Sequence, residues 1–111
     1  MNTFEKLQGL LKTKEEYLWT KFYEELEVAD YIDSDYRNKT QGKTIAQEIR
    51  NAESMELPDV VAWLTWILRG ERFCDGLFQS CIDDGTLSVL LDRGNELLNE
   101  GDLITEKFCK N

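Results

Sequence analysis

The hydrophobic pattern of the chain is strongest over Val60–Leu68, where no residue is charged and only Thr65 is polar. A helix without a polar face must be covered on most sides, so this segment is predicted to lie at the centre of a small domain. Pro58 suits the first turn of such a helix, and Gly70 suits its end. The pattern therefore predicts a central apolar helix over about 59–70.

Apolar residues recur at helical spacing on both sides of this segment. Thr13 and Thr44 stand where N-caps belong, each with Glu or Gln three positions later, as in a capping box. Gly94 falls on the apolar stripe of the last helix, where a neighbouring backbone is expected to approach closely. The further helices predicted from this spacing cover about 4–11, 13–32, 44–52, 71–84 and 86–98, with one further turn in the tail.

No run of residues alternates between apolar and polar for long enough to form a strand. The predicted fold class is all-α, a compact bundle of five or six helices around the central one. At 111 residues the chain is expected to form a single helical domain over 1–111. Residues 33–43 are polar and turn-prone, and they are predicted to form its one long, mobile loop.

Two motifs in this polar segment resemble ligand-binding loops, and both fail on a required position. Gly42-Lys43-Thr44 resembles the end of a phosphate-binding loop, but Arg37 stands where the first glycine is needed. Asp33 and Asp35 have the opening spacing of a calcium loop, but Arg37 would then place a cation among the ligands. Neither a nucleotide site nor a calcium site is predicted.

The charge balance narrows the classes of partner. There are 13 basic and 22 acidic residues, a formal net charge of −9. This excess argues against direct binding to nucleic acid or anionic lipid, which requires a surplus of Lys and Arg. The acidic residues either keep the helix faces soluble or mimic nucleic acid and so bind a basic partner. No apolar run is long enough to span a membrane, and no secretory signal is visible, so a cytoplasmic location is expected.

Histidine is absent, which removes the commonest general base and the commonest metal ligand. Cys74 and Cys81 are predicted to lie ~10.5 Å apart along one helix, too far for a disulfide, and to be buried packing residues. Cys109 is predicted to be an exposed thiol. No catalytic residue, metal site or cofactor is predicted, and the chain is not expected to be an enzyme.

A group of charged residues, Arg69–Gly76, falls at the junction between two predicted core helices. One interpretation is structural: Arg72 pairs with Asp75 three positions later, and Arg69 faces the last carbonyls of the central helix. The other is functional: Arg69 and Arg72 line a small polar pocket that binds an anion or a partner carboxylate. The sequence leaves both open.

The same junction resembles a known family. Arg72–Leu77 reads Arg-Phe-Cys-Asp-Gly-Leu, and Asp84–Leu87 reads Asp-Gly-Thr-Leu before a leucine-rich helix. Over Val60–Leu98 the chain is similar to a family of small uncharacterised bacterial proteins, grouped as a domain of unknown function, with an Arg-Phe-x-x-Gly segment after an apolar helix. The resemblance implies a bacterial or phage origin and no particular activity.

The leading functional prediction is a non-catalytic acidic helical protein that acts by protein–protein interaction. Large aromatic residues exceed what one small core requires, and aromatic side chains displayed on helices are typical interface anchors. The alternatives are an acidic nucleic-acid mimic that inhibits a basic partner, as phage inhibitors can be, and a binder of small molecules or anions through the junction arginines. The predicted partner is another protein, and association with a second copy is left open. The candidate interaction residues are Arg69, Arg72, Asp75, Trp19, Tyr31, Tyr36 and Trp66.

Overall fold

Seven α-helices and one 3-10 turn, with no strand, make up the described part of the chain. The computed structural model describes residues 2–13 and 15–109, with side chains as far as residue 99. The predicted all-α class and helical bundle are confirmed, with one helix more than expected. The helices are α1 (Thr3–Leu11), α2 (Leu18–Val28), α3 (Tyr36–Thr40), α4 (Ile45–Arg50), α5 (Leu57–Glu71), α6 (Leu77–Asp83) and α7 (Thr86–Cys109), and the 3-10 turn is Ala52–Ser54.

The predicted central helix is α5, and it packs against α3, α6 and α7. Trp63, Leu64 and Ile67 are only 2%, 1% and 0% exposed, as expected for a helix without a polar face. The helix begins after Glu56, whose backbone N–H donates to the Asp59 carboxylate at 3.0 Å. Side chains from the other helices share this core, among them Phe4, Leu7, Phe22, Leu26, Phe78, Leu87, Leu90 and Leu91.

The second helix is shorter than its apolar stripe predicted, with about three turns in place of five. The predicted capping box at Thr13 is wrong, because the Thr13 hydroxyl instead donates to the Leu10 carbonyl at the end of α1. At the other end, Asp30 adopts a left-handed backbone (φ 61°), and the Tyr31 N–H donates to the Leu26 carbonyl at 2.7 Å. The Asp30 N–H also donates to the Glu27 carbonyl, at 3.1 Å. These two bonds form a Schellman motif, which ends α2 before the apolar stripe does.

The polar segment 33–43 was predicted to be a loop, but it contains α3, which lies against α5. Asp33 fixes the segment, since its N–H donates to the buried Thr65 hydroxyl at 3.0 Å and its carboxylate accepts from Lys39 Nζ at 2.6 Å. Thr40 is buried, and its hydroxyl donates to the Tyr36 carbonyl. Contacts with the central helix therefore order this segment, although its polar composition alone would predict a loop.

The pH dependence of the protein's stability should reveal the contribution of the Asp33 carboxylate. Burial alone would raise the pKa of Asp33, but hydrogen bonds from Lys39 and from the Asp35 N–H outweigh it and lower that pKa. A lowered folded-state pKa stabilises the fold above the unfolded-state pKa, and this stabilisation is lost as the pH falls through the folded-state pKa. Asp33→Asn should therefore be less stable than the wild type at pH 7, with the difference closing toward pH 3.

Urea denaturation at pH 7 and at pH 3 measures this difference in free energy of unfolding. Asp30→Asn is the matched control, because Asp30 is exposed and asparagine tolerates its left-handed backbone. An Asp33→Asn deficit that is equally large at both pH values would contradict the role given to the ionised Asp33 carboxylate.

The last helix continues beyond its predicted end at residues 99–101 and runs to Cys109. A glycine such as Gly101 weakens a helix by only ~1 kcal/mol and need not end it. A neighbour does approach Gly94 closely, but it is the Phe4 ring of α1 and not the backbone that was predicted. Helix α7 thus packs against α1 as well as against α5.

Candidate functional site

A groove lies between α3 and the C-terminal end of α5. It consists of two adjoining cavities of about 780 and 330 Å³ that share four lining residues. We call it the arginine–aromatic groove and define it by Tyr36, Arg37, Trp66, Arg69, Arg72 and Phe73. No aspartate or glutamate is among the described residues that line either cavity, although acidic residues outnumber basic ones across the chain.

One wall of the groove is a turn at residues 72–76, where the sequence predicted a helix. Helix α5 ends at Glu71, whose carboxylate accepts the Gly76 N–H at 3.2 Å and the Phe78 N–H at 2.8 Å. Gly76 has φ +93°, a left-handed conformation that glycine adopts without a steric penalty. The Glu71 carboxylate therefore holds the turn and provides acceptors at the start of α6.

This turn displays Phe73 to solvent. The Phe73 side chain is 87% exposed, while its backbone N–H is bonded to the Gly70 carbonyl at 3.0 Å. Burying a phenylalanine side chain is worth about 1.5–3 kcal/mol, a gain that the free chain does not realise here. Half-buried Trp66 lies in the same groove and contacts Trp63 edge-to-face, with ring centroids 5.4 Å apart. The groove thus presents an exposed aromatic side chain beside a second, firmly packed one.

The groove arginines are held by aromatic rings. The guanidinium carbons of Arg69 and Arg72 lie 5.8 and 6.0 Å from the ring centroid of Tyr23, within cation–π range. That of Arg37 lies 5.9 Å from the ring of Tyr36. The Nε of Arg69 is buried and has no hydrogen-bond partner among the side chains and backbone that the structure describes.

The predicted ion pair between Arg72 and Asp75 is wrong. Both side chains are exposed, and no salt bridge joins them in the described structure. The prediction assumed a continuous helix from residue 71, on which positions three apart face each other. Because α5 ends at Glu71, the two residues lie in an irregular turn, and Arg72 packs over Tyr23 instead.

The groove gathers four of the seven residues predicted for interaction: Tyr36, Trp66, Arg69 and Arg72. Trp19 lies elsewhere, in a cavity of about 550 Å³ beside α6. Tyr31 stacks on Phe4 with ring centroids 5.6 Å apart and is half buried. Asp75 stays exposed on the turn and does not line the groove.

Sequence reasoning missed two groove residues, Arg37 and Phe73. Arg37 was interpreted only as a position that spoils the two loop motifs, and Phe73 only as part of a helix. A signal was present for Phe73, since Gly70 and Gly76 on either side of it make a turn more plausible than a helix. For Arg37 the adjacent aromatic Tyr36 is the only local hint.

The burial of the cysteines differs in part from the prediction. Cys81 is buried on α6, as expected, whereas Cys74 is exposed on the turn and lines the groove. The prediction that both residues are buried assumed that they share one helix, but that helix begins only at Leu77. The prediction for the Cys109 side chain lies outside the described residues.

Thiol labelling should separate the two described cysteines. Burial, with a smaller contribution from the nearby Asp84 and Glu71 carboxylates, raises the pKa of Cys81 to about 11. Since the thiolate is the reactive form, Cys81 should label slowly in the native protein, and exposed Cys74 should label faster. Peptide mass spectrometry after a timed reaction with iodoacetamide measures both rates. Faster labelling of Cys81 than of Cys74 would show that α6 is not packed as described.

The described residues offer neither a metal site nor a helix suited to a membrane. No group of three or more His, Cys, Asp or Glu residues in that part of the chain is placed to hold a metal ion. Nor does any described helix have the length and apolar character needed to cross a membrane.

Comparison with known proteins gives one match. A family model described as a family of unknown function (DUF6508) matches residues 10–100, which includes the groove and most of the described helices. Comparisons with curated proteins and with solved structures found no match. The match is consistent with the predicted relationship to a domain of unknown function, and it covers most of the first half of the chain as well. The chain belongs to DUF6508, a family of unknown function.

Proposed function

We propose that the protein is a non-catalytic helical protein that acts by binding another protein through the arginine–aromatic groove. The observation that carries the proposal is Phe73, which is 87% exposed on a turn fixed by the Glu71 carboxylate. A flexible exposed phenylalanine would lose conformational freedom on binding, whereas one on a fixed turn loses less. Phe73 is thus suited to serve as an interface anchor.

The composition of the groove supports a protein partner. Aromatic residues and arginine are enriched at protein interfaces and at their energetic hot spots. The groove combines Tyr36, Trp66 and Phe73 with three arginines. Cation–π contacts with Tyr23 hold Arg69 and Arg72 in place before a partner binds, which lowers the entropy cost of using them.

The two alternative functions would involve a different ligand or a different surface of the protein. A binder of small molecules or anions would use Arg69 and Arg72 without a protein partner. An acidic nucleic-acid mimic would instead use a carboxylate-rich face such as that of α2, where Glu24 and Glu27 are exposed. Val28 lies on α2 beside these glutamates and is 86% exposed, so it reports on that face.

Photo-cross-linking at two positions tests the proposal. The photoreactive residue p-benzoylphenylalanine would replace Phe73 in one variant and Val28 in the other. The two positions are matched in exposure, at 87% and 86%. Both variants would be expressed and irradiated in bacterial cells, because the family resemblance implies a bacterial or phage origin. We expect a covalent adduct with another protein from position 73 and none from position 28.

Each other outcome contradicts the proposal and favours one alternative. Protein adducts from position 28 alone would favour the acidic mimic. The absence of protein adducts at both positions would favour a small-molecule or anion binder. An adduct between two copies of the chain at position 73 would show that the groove is a self-association surface.

A further inference from the structure

We infer that the arginine–aromatic groove binds an acidic segment of the partner protein. In this arrangement the segment's carboxylates face Arg37, Arg69 and Arg72, and an aromatic or aliphatic side chain of the segment lies against Trp66 and Phe73. The inference rests on the proposed function and specifies the chemistry of the partner. It is carried by the charge of the groove and by the unpaired Arg69 Nε.

The charge of the groove is opposite to that of the whole chain. The chain carries a net charge of −9, yet the described lining of both cavities holds three arginines and no carboxylate. Electrostatic complementarity selects partners by suppressing like-charge contacts. A basic segment would meet three arginines that form no salt bridge in the described structure, whereas an acidic segment would pair with them.

The carboxylates nearest in sequence to these arginines form no salt bridge with them in the described structure. Glu71 accepts two backbone N–H groups of the turn, and Asp33 pairs with Lys39. The Asp35 carboxylate accepts from the side chain of Asn38 within α3. Asp75 is exposed and makes no salt bridge within the described structure. The arginines therefore remain available to an acidic ligand.

Arg69, which lines both cavities, has an unused hydrogen-bond donor. Its Nε is buried and unbonded among the described residues, and a buried donor without an acceptor is unfavourable. Carboxylates bind arginine through two parallel N–H···O bonds, and one edge of the guanidinium supplies Nε–H together with an Nη–H. A carboxylate on this edge, reached by a small shift of the side chain, would satisfy the donor.

The size of the groove also suits a segment of chain. The larger cavity, about 780 Å³, lies toward Trp66 and Leu77, and the smaller, about 330 Å³, lies toward Arg72 and Ser34. The larger one has more apolar lining, with Trp66, Leu77 and Phe73, and the smaller one has a higher proportion of arginine. An acidic residue and an apolar residue close together in a peptide would match these two parts.

Peptide selection tests the inference even though the partner is unidentified. Phage-displayed random dodecapeptides would be selected on the immobilised full chain. We expect the enriched peptides to carry net negative charge together with an aromatic or large aliphatic residue. Enriched peptides would then be synthesised with a fluorescent label, and their Kd for the full chain would be measured by fluorescence anisotropy.

Charge variants locate the binding in the groove. Arg37→Gln and Arg72→Gln change exposed residues, so the double variant should fold. We expect it to bind the selected peptides about tenfold more weakly or worse, because two charge-assisted contacts are lost. The double variant Lys6→Gln with Arg50→Gln is the control for net charge, since both residues are exposed and neither lines the groove. It should bind as the wild type does.

The inference is overturned if no peptide is enriched, if enriched peptides are neutral or basic, or if the double variant of Arg37 and Arg72 binds them normally. It is also overturned if glutarate or inorganic phosphate alone binds as tightly as the peptides, since the site would then serve small anions. These results are separable from the cross-linking test. A protein adduct at position 73 together with enrichment of basic peptides would leave the proposed function standing and remove only the acidic segment.

Discussion

Replacing Leu64 with alanine is expected to lower the free energy of unfolding by about 2–5 kcal/mol. Leu64 is 1% exposed on α5, the helix against which α3, α6 and α7 pack. The truncation removes apolar contacts and leaves a cavity that helices on several sides cannot all close. Urea denaturation of the wild type and the variant at one pH measures the difference.

Val28→Ala is the control for this prediction. Val28 is 86% exposed on α2, so its truncation should change stability by no more than about 0.5 kcal/mol. A loss below about 1 kcal/mol for Leu64→Ala, far under the range for a buried leucine, would mean that α5 is not the core of the protein.

Replacing Gly94 with alanine is expected to destabilise the protein by about 1–3 kcal/mol through overpacking. A Cβ at this position would lie 2.6 Å from two atoms of the Phe4 ring and 2.8 Å from a third. Phe4 is fully buried and stacked on Tyr31, so its ring cannot move aside freely. The gain in helix propensity, ~1 kcal/mol for Gly→Ala, offsets only part of this cost.

Gly9→Ala is the matched substitution for comparison. Gly9 also lies within a helix, but a Cβ there would meet nothing within 4 Å. This variant should be more stable than the wild type by about 0.5–1 kcal/mol, because alanine is the better helix former. Thermal denaturation of both variants should therefore show Tm changes of opposite sign. Equal changes in the two would contradict the close packing of α7 on α1.

The sequence was most informative where the apolar pattern was longest. An uncharged run such as Val60–Leu68 can only be accommodated by burial, so both the position of α5 and the burial of Leu64 followed from it. The all-α class followed from helical spacing on both sides. Gly94 was also recognisable, because a glycine on an apolar stripe loses side-chain contacts unless a neighbour fills the space.

Short elements held by tertiary contacts could not be predicted in this way. Helix α3 has five residues, and an isolated helix of that length is not stable in water. It is ordered through Asp33, whose N–H bonds to Thr65 far along the chain. The turn at 72–76 likewise depends on the Glu71 carboxylate, which accepts backbone N–H groups five and seven positions later. Neither contact has a local signature.

The candidate site was predictable mainly on the α5 side, since Tyr36 was the one residue of α3 among those predicted for interaction. Trp66, Arg69 and Arg72 could be chosen because they surround the end of the apolar helix. Arg37 comes from the segment predicted to be a loop, so its arrival beside Arg69 depends on the docking of α3. The exposure of Phe73 depends on the turn, which the spacing of apolar residues had placed inside a helix.

Hydrogen exchange in the presence of the partner tests the central claim most directly. The protein captured by cross-linking at position 73 would be added to the wild-type chain, and backbone amide exchange would be followed by mass spectrometry. Binding through the arginine–aromatic groove predicts new protection over residues 36–41 and 69–77, with exchange in α2 (Leu18–Val28) unchanged. Protection confined to α2, or none over 69–77, would contradict binding at the groove.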